Sequence, residues 1–243
     1  MKHTTRYRCT FRILTAILGF ASCSSKISLT AKADGGTDVE FSASFGKALS
    51  DTIKSISATM GSPKQKSSGF FSADVIKEAM KDSDFSNVKA SNPTENSLET
   101  SGTLPAASKQ THATGTLRAT DFVSCGSNVM ALKLSPKNLK TFAGGLPQST
   151  KNYLDLFMAP VFTGETMSKE DYRMLIASIY GEEIAKELSQ ATIDISMAPP
   201  KGKSIKNAAV PKSGKANASK ATFSIPLLDF LTMTADQTYS IQW

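Results

Sequence analysis

The sequence predicts an α+β fold: a mainly antiparallel sheet built from hairpins, packed on one side by several amphipathic helices. Three observations carry this reading. Asp34-Gly35-Gly36 separates two segments whose apolar residues alternate with polar ones, the strongest short-range hairpin signal. A second alternating pair flanks Gly126-Ser127-Asn128. Elsewhere apolar residues recur every three or four positions, the period of a helix with one buried stripe. Strand and helix patterns come in blocks, in the order hairpin, helices, hairpin, helices, strands.

In the first block, Ile27, Leu29 and Ala31 alternate, as do Val39, Phe41 and Ala43. Strands are expected at about 26–33 and 37–44. From Gly46 to Met60 the period changes, with Leu49, Ile53, Ile56 and Met60 on one stripe and Ser44 as N-cap. Gly61-Ser62-Pro63 stops that helix. A shorter one is expected from Ala73 to Lys81, capped by Ser72 and burying Val75, Ile76 and Met80. Residues 86–120 are rich in Ser, Thr, Asn and Ala. They read as loop-rich, a loose hairpin or a mobile loop, with turns at Asn92-Pro93 and Leu104-Pro105.

Order returns at Phe122. Residues 122–125 and 129–134 form the second hairpin, with Met130, Leu132 and Leu134 on one face. Ser135-Pro136 opens a short helix, with Pro in its first turn, and Gly144-Gly145 closes it. Residues 152–162 are the most apolar stretch after the export segment and read as helix up to Pro160. Ser168, followed by Lys169-Glu170-Asp171, is an acidic variant of the capping box. Tyr172, Leu175, Ile176, Ile179 and Tyr180 form its stripe, Gly181 interrupts, and Glu182–Ser189 resumes. Ile193, Ile195 and Met197 mark a further strand that Pro199-Pro200 ends. Residues 200–220 are a polar, Lys-rich connection. Ala221–Ile225 is a strand, Pro226–Met233 a short helical turn, and Thr238–Trp243 the last strand. No linker divides 23–243, which reads as a single exported domain.

The segment that precedes this domain is of another kind. Lys2, Arg6, Arg8 and Arg12 are its only charges; Ile13–Ala21 is apolar, and Ala21-Ser22 leads into Cys23. A basic start, a short apolar run and small residues form an export signal, here residues 1–22. A spanning helix needs about 20 apolar residues, so the short run is no permanent anchor. Phe20-Ala21-Ser22-Cys23 resembles the lipobox of bacterial lipoproteins, with Phe20 where Leu is usual, and is similar to the looser boxes of spirochaetal lipoproteins. The resemblance implies that Cys23 becomes the acylated first residue of the mature chain and carries a diacylglyceryl group and usually a third chain. Ser24 and Ser25 follow with no Asp, which in enterobacterial lipoproteins favours the outer membrane. Ordinary signal cleavage near Ala21-Ser22-Cys23, without lipid, is the alternative. The order of elements in 23–243 is also similar to uncharacterised envelope lipoproteins whose exported domain begins with a Gly-turn hairpin and ends on a strand closing with Trp. That likeness implies no activity.

The formal charge of +7 is partly the export signal. Removing its four basic residues leaves 24 basic against 21 acidic ones, a net +3, which does not call for a nucleic-acid partner. Of three cysteines, Cys9 leaves with the signal and Cys23 is the lipid-attachment candidate. Cys125 is then without an intramolecular partner, and the domain must rely on its core.

Candidate chemistry is sparse. His112 is the only histidine beyond the signal, and no cluster of further ligands surrounds it, so no metal site is expected. Cys125 as a nucleophile would have only His112 as base. Glu182, Glu183 and Glu187 interleave with lysines and read as a solvated helix face. No glycine pair follows a phosphate-loop spacing, and no cofactor is expected. The basic run Lys201, Lys203, Lys206, Lys212, Lys215 and Lys220 is a candidate for lipid head-group contact, each Lys contributing ~1 kcal/mol near an anionic surface; a solvated basic loop is the plainer account. These readings favour a non-catalytic binding or scaffolding module of the bacterial envelope, anchored through Cys23. Its partner would be an envelope protein or an apolar ligand. The alternative is a carrier sheltering an apolar or lipid ligand between the sheet and residues 152–162. An envelope hydrolase is disfavoured.

Overall fold

Strand β1 (Ser24–Ala31) and strand β2 (Thr37–Ser44) form the first hairpin, in register from Ser24↔Ser44 to Ala31↔Thr37. The computed structural model describes residues 24–60, 73–81, 85–106, 122–145 and 157–243. The turn is a three-residue loop. Lys32 N–H bonds to Gly36 O at 2.9 Å, Gly35 N–H bonds to Lys32 O at 3.1 Å, and Gly35 has φ 83°. Only a residue that tolerates a left-handed backbone closes such a loop cheaply. Asp34 Oδ1 accepts from Gly36 N–H at 3.0 Å and fixes the corner.

Helix α1 (Lys47–Met60) and helix α2 (Ala73–Lys81) follow as expected. Their caps differ from expectation. Ser44 lies within β2, and the first N–H groups of α1 are taken by a distant carboxylate described below. Ser72 lies outside the described residues; the Ala73 N–H donates to Asn92 Oδ1 at 2.9 Å. Of the predicted stripes, Leu49, Ile76 and Met80 are buried.

The stretch expected to be loop-rich contains a hairpin, β3 (Ser86–Ser91) and β4 (Ser97–Leu104). Its Ser and Thr residues occupy ordinary ladder positions, with a register shift between Ser86 and Lys89 and Asn87 at φ 55°. Residues 107–121 lie outside the described residues.

The second predicted hairpin forms β5 (Val123–Cys125) and β6 (Val129–Leu134), and Pro136 opens α3 (Pro136–Gly145). Ser135 Oγ accepts from Asn138 N–H at 3.0 Å, the N-cap that its position suggests. Residues 152–156 of the expected helix lie outside the described residues; Phe157 is helical, and the chain turns before Pro160. Pro160 itself opens α4 (Pro160–Thr163), where its fixed φ suits the first turn. The chain reaches it through Met158 at φ 43°. Helix α5 (Lys169–Tyr180) carries the predicted cap: Ser168 accepts from Asp171 N–H at 3.1 Å and donates to its carboxylate at 2.7 Å. Gly181, at φ 96°, separates it from α6 (Glu182–Gln190). Tyr172 and Ile176 are buried, but Ile179 is 47% exposed and lies off the buried stripe.

Strand β7 (Thr192–Ala198) is followed by β8 (Asn207–Ala209) and β9 (Lys215–Ala216), so the Lys-rich connection is partly ordered as strand. Strand β10 (Ala221–Pro226), helix α7 (Leu227–Leu231) and β11 (Gln237–Gln242) complete the chain.

Two sheets result. The larger has the order β3-β4-β2-β1-β7-β10-β9, the smaller β5-β6-β11-β8. Among the described residues every pairing is antiparallel except β1 with β7, in parallel register from Ser25↔Ile193 to Thr30↔Ala198. The two hairpins, β1–β2 and β5–β6, thus contribute to different sheets. One face of the large sheet is apolar. Leu29, Phe41, Leu98, Ile193, Ile195, Met197, Phe223 and Ile225 join the buried faces of the helices and of the small sheet in one core. The rings of Phe223 and Tyr239, 4.4 Å apart, connect the two sheets. Burying side chains of this size contributes about 1.5–3 kcal/mol each. The opposite face of the large sheet is polar and open, because alternation in strands sends every second residue there.

Candidate functional site

The open face of the large sheet holds a cleft of about 490 Å³ over β1, β7 and β10. Strand register builds it in rows. Lys26, Asp194 and Ser224 stand in one row, and Ser28, Ser196 and Thr222 in the next. Ser224 Oγ donates to Asp194 Oδ1 at 2.6 Å, and Thr192 Oγ1 approaches the same oxygen at 3.4 Å. Ser196 Oγ donates to Ser28 Oγ at 3.0 Å. These contacts fix the carboxylate and order the hydroxyls. Every buried side-chain N or O among the described residues has a hydrogen-bond partner. The polar groups of this cleft are therefore exposed by position and not stranded by packing.

The rim comes from the 200–220 connection, which contributes Ser213, Lys215 and Lys220. A tight turn presents the two lysines. Asn217 Oδ1 accepts from Ser219 N–H, Ser219 Oγ and Lys220 N–H, each at 2.9 Å, and Lys215 pairs with Thr222. Gly214 lets this strap lie close to β10: a Cβ there would stand 2.9 Å from Val210 Cγ2 and 3.1 Å from Phe223 Cβ. Lys26, Lys215 and Lys220 make no ion pair among the described residues, so three ammonium groups face one hydrogen-bonded carboxylate.

The basic run of the sequence is therefore divided. Lys215, joined by Lys220 and by Lys26 from the far side, lines the cleft. Lys201 and Lys203 lie in the turn after β7, at the end opposite the Ser25–Ile193 row, about 20 Å along the strand at ~3.3 Å per residue. Lys206 and Lys212 flank β8 in the small sheet and are exposed. Cys23 and His112 lie outside the described residues.

The acidic helix face is not uniformly solvated. Glu182 pairs with Arg173 at 2.6 Å. Glu187 reaches α1, where its two oxygens accept the backbone N–H groups of Ala48 at 3.0 Å and Leu49 at 3.1 Å. Cys125 is half-buried. Burial pushes its thiol up, while hydrogen bonds from the β1–β2 turn, at Thr37 and Lys32, oppose the rise. A thiol held protonated is a weak nucleophile. Among the described residues no group of three His, Cys, Asp or Glu side chains is placed to hold a metal ion, and no helix is long and apolar enough to cross a membrane.

Sequence reasoning did not find the cleft. The alternation of Thr192, Asp194 and Ser196 signals a polar strand face, but the parallel pairing that sets it beside Lys26 and Ser28 leaves no local trace.

No known protein family and no curated protein matches the chain. Among solved structures it is similar to the folded domain of the Mycobacterium tuberculosis protein LppM, determined by NMR, at 7% identity and a TM-score of 0.39, over 90% of this chain and 89% of that one. A likeness at that distance assigns no activity.

Proposed function

We propose that the chain is a bacterial cell-envelope lipoprotein, held at a membrane through an acylated Cys23, that works by binding and not by catalysis. The observation that carries this reading is the adjacency of Cys23 to β1. The residue after the lipobox-like Phe20-Ala21-Ser22-Cys23 is already paired, Ser24 with Ser44. With no flexible spacer, acyl chains on Cys23 would set the start of the central strands against the bilayer and turn the sheet faces sideways. Two or more acyl chains give a stable anchor where one gives a marginal one. In that orientation Lys201 and Lys203 point away from the bilayer, so lipid head-group contact is not their role in this reading.

Binding is supported by the open polar cleft, the protonated thiol of Cys125 and the structural employment of Glu182 and Glu187. The carrier alternative draws on residues 152–162. The described part of that segment is committed to the core: Ala159 and Val161 are buried, Phe157 packs on Tyr180 at 5.7 Å, and the Tyr172 hydroxyl donates to Phe157 O at 2.8 Å. The polar face is the better-supported surface. The test is intact mass of the membrane-extracted protein beside a Cys23→Ala variant. A mass of 23–243 plus acyl chains, lost in the variant, is expected; an unmodified mass would remove the anchor.

A further inference from the structure

We infer that the cleft on the open face of the large sheet binds a soluble sugar phosphate. The inference rests on the binding-module reading and names the ligand class of that site. Charge is the first argument. Lys26, Lys215 and Lys220 bring three positive charges and Asp194 one negative charge to a single cleft, and none of the three ammonium groups is neutralised by an ion pair among the described residues. An anion is the complementary ligand. Lysines on opposite rims act as point charges that a phosphate engages without a fixed fork geometry. The net excess of two suits the near-dianionic charge of a phosphate monoester.

The floor supplies the second argument. A site for a bare anion needs donors only. Here a carboxylate and four hydroxyls, from Ser28, Ser196, Thr222 and Ser224, tile the sheet between the lysines. Hydroxyls both donate and accept, and the carboxylate accepts. Asp194, oriented by Ser224 at 2.6 Å, is placed to accept from a ligand hydroxyl. A ligand that is anionic at one end and rich in hydroxyls along its body matches both features. The cleft's 490 Å³ falls within the usual ~300–1,000 Å³ of small-molecule sites.

Position is the third argument. The cleft opens on the face of the sheet, not at the strand end that follows Cys23. A soluble ligand reaches it from the side, and Lys215, in the Ser28–Ser196–Thr222 row, stands farther along the strands from Cys23 than Lys26 does.

The test is a calorimetric titration of the full-length, membrane-extracted protein. The probes are glucose 6-phosphate, glucosamine 6-phosphate and ribose 5-phosphate, with glucose, inorganic phosphate and phosphatidylglycerol vesicles as comparators. At least one sugar phosphate is expected to bind at least about tenfold more tightly than glucose and inorganic phosphate. Changing Lys26, Lys215 and Lys220 together to Gln is expected to weaken it by about tenfold or more, at an unchanged melting temperature. Lys215→Gln alone, a single exposed change, gives the same reading with a smaller loss. Any of three results overturns the inference: no heat with any sugar phosphate up to about 10 mM, equal affinity for inorganic phosphate, or vesicle binding that the lysine variants lose. The mass of the same preparation reads Cys23 separately. An acylated protein that fails to bind sinks the cleft assignment and leaves the anchor standing; a binding protein without acyl chains does the reverse.

Discussion

Glu187 and Leu49 stand 138 residues apart in the chain and share a hydrogen bond: the Glu187 carboxylate accepts the Leu49 backbone N–H at 3.1 Å, with Ala48 on its other oxygen at 3.0 Å. An N-terminal helix turn has N–H groups without intrahelical partners, and an anion placed there satisfies them and meets the positive end of the helix dipole. The carboxylate thus does from α6 what a local Ser or Asp does in most helices.

Replacing Glu187 by Ala should cost about 1–3 kcal/mol, the range for losing charge-assisted bonds to buried backbone donors. Glu187→Gln retains one acceptor and should lose less. Urea unfolding midpoints measure both, and an unchanged midpoint for the Ala variant would mean that the cap contributes nothing.

Tyr172 gives a pH prediction. Burial drives its phenol pKa well above the ordinary 10.0, and its hydroxyl donates to Phe157 O. Above pH 10 the unfolded tyrosine loses its proton while the folded one keeps it. The unfolded state then binds fewer protons, so stability falls as pH rises, by up to about 1.4 kcal/mol per pH unit. Tyr172→Phe should flatten this decline, leaving the part due to Tyr180 and Tyr239, which burial also raises. The same variant should cost about 1–2 kcal/mol at neutral pH through the unpaired carbonyl. An equally steep alkaline decline in the variant would show that Tyr172 is not its source.

Two glycines should reject a methyl group for different reasons. At Gly102, in β4, a Cβ would stand 2.9 Å from Phe85 Cδ1 and 3.0 Å from Met80 Cε. Gly102→Ala overpacks the core under α2 and should cost about 1–3 kcal/mol. At Gly214 the nearest atoms include Pro211 O at 3.0 Å, so the strap itself must move. Gly214→Ala should shift the amide resonances of Lys215 and Thr222 in an NMR spectrum while those of β3 and β4 stay in place; unmoved Lys215 and Thr222 resonances would refute the close approach.

Cys125 should be sluggish. It is the one cysteine among the described residues, and burial lifts its pKa. Alkylation by iodoacetamide at pH 8 should run several-fold slower than for a free thiol, because less thiolate is present. Thr37→Ala removes a bond that favours the thiolate and should slow it further. Alkylation as fast as that of glutathione would contradict the assignment.

Much of the fold was legible because its signals are local. The Asp34-Gly35 turn, the Ser168 cap, the Gly181 break and the alternation of Ile193, Ile195 and Met197 are each written within a few residues, and each element stands where those residues put it. What was not legible is not local. Ser44 looked like a cap because the true cap arrives from α6. The hairpin at 86–104 was one of the readings its Ser- and Thr-rich composition left open; the choice is made by pairing against β2, which no local signal records. The candidate cleft was least legible of all. Its floor is assembled from three strands, and the hydrogen bond between Ser196 and Ser28 joins residues 168 apart.

That separation sets a timetable for folding. The first strand of the domain is also its middle strand, and one of its two edges is filled only by β7. Until then the edge between Ser25 and Thr30 presents unpaired backbone groups, a template for pairing with another chain. Topologies rich in such non-local pairs fold slowly, because loop-closure entropy must be overcome before the contact is gained. A chain emerging N-terminus first would spend its synthesis with that edge uncovered until Thr192 and the residues after it are made. Truncations that end before Thr192 should accordingly accumulate as aggregates and not as smaller folded domains.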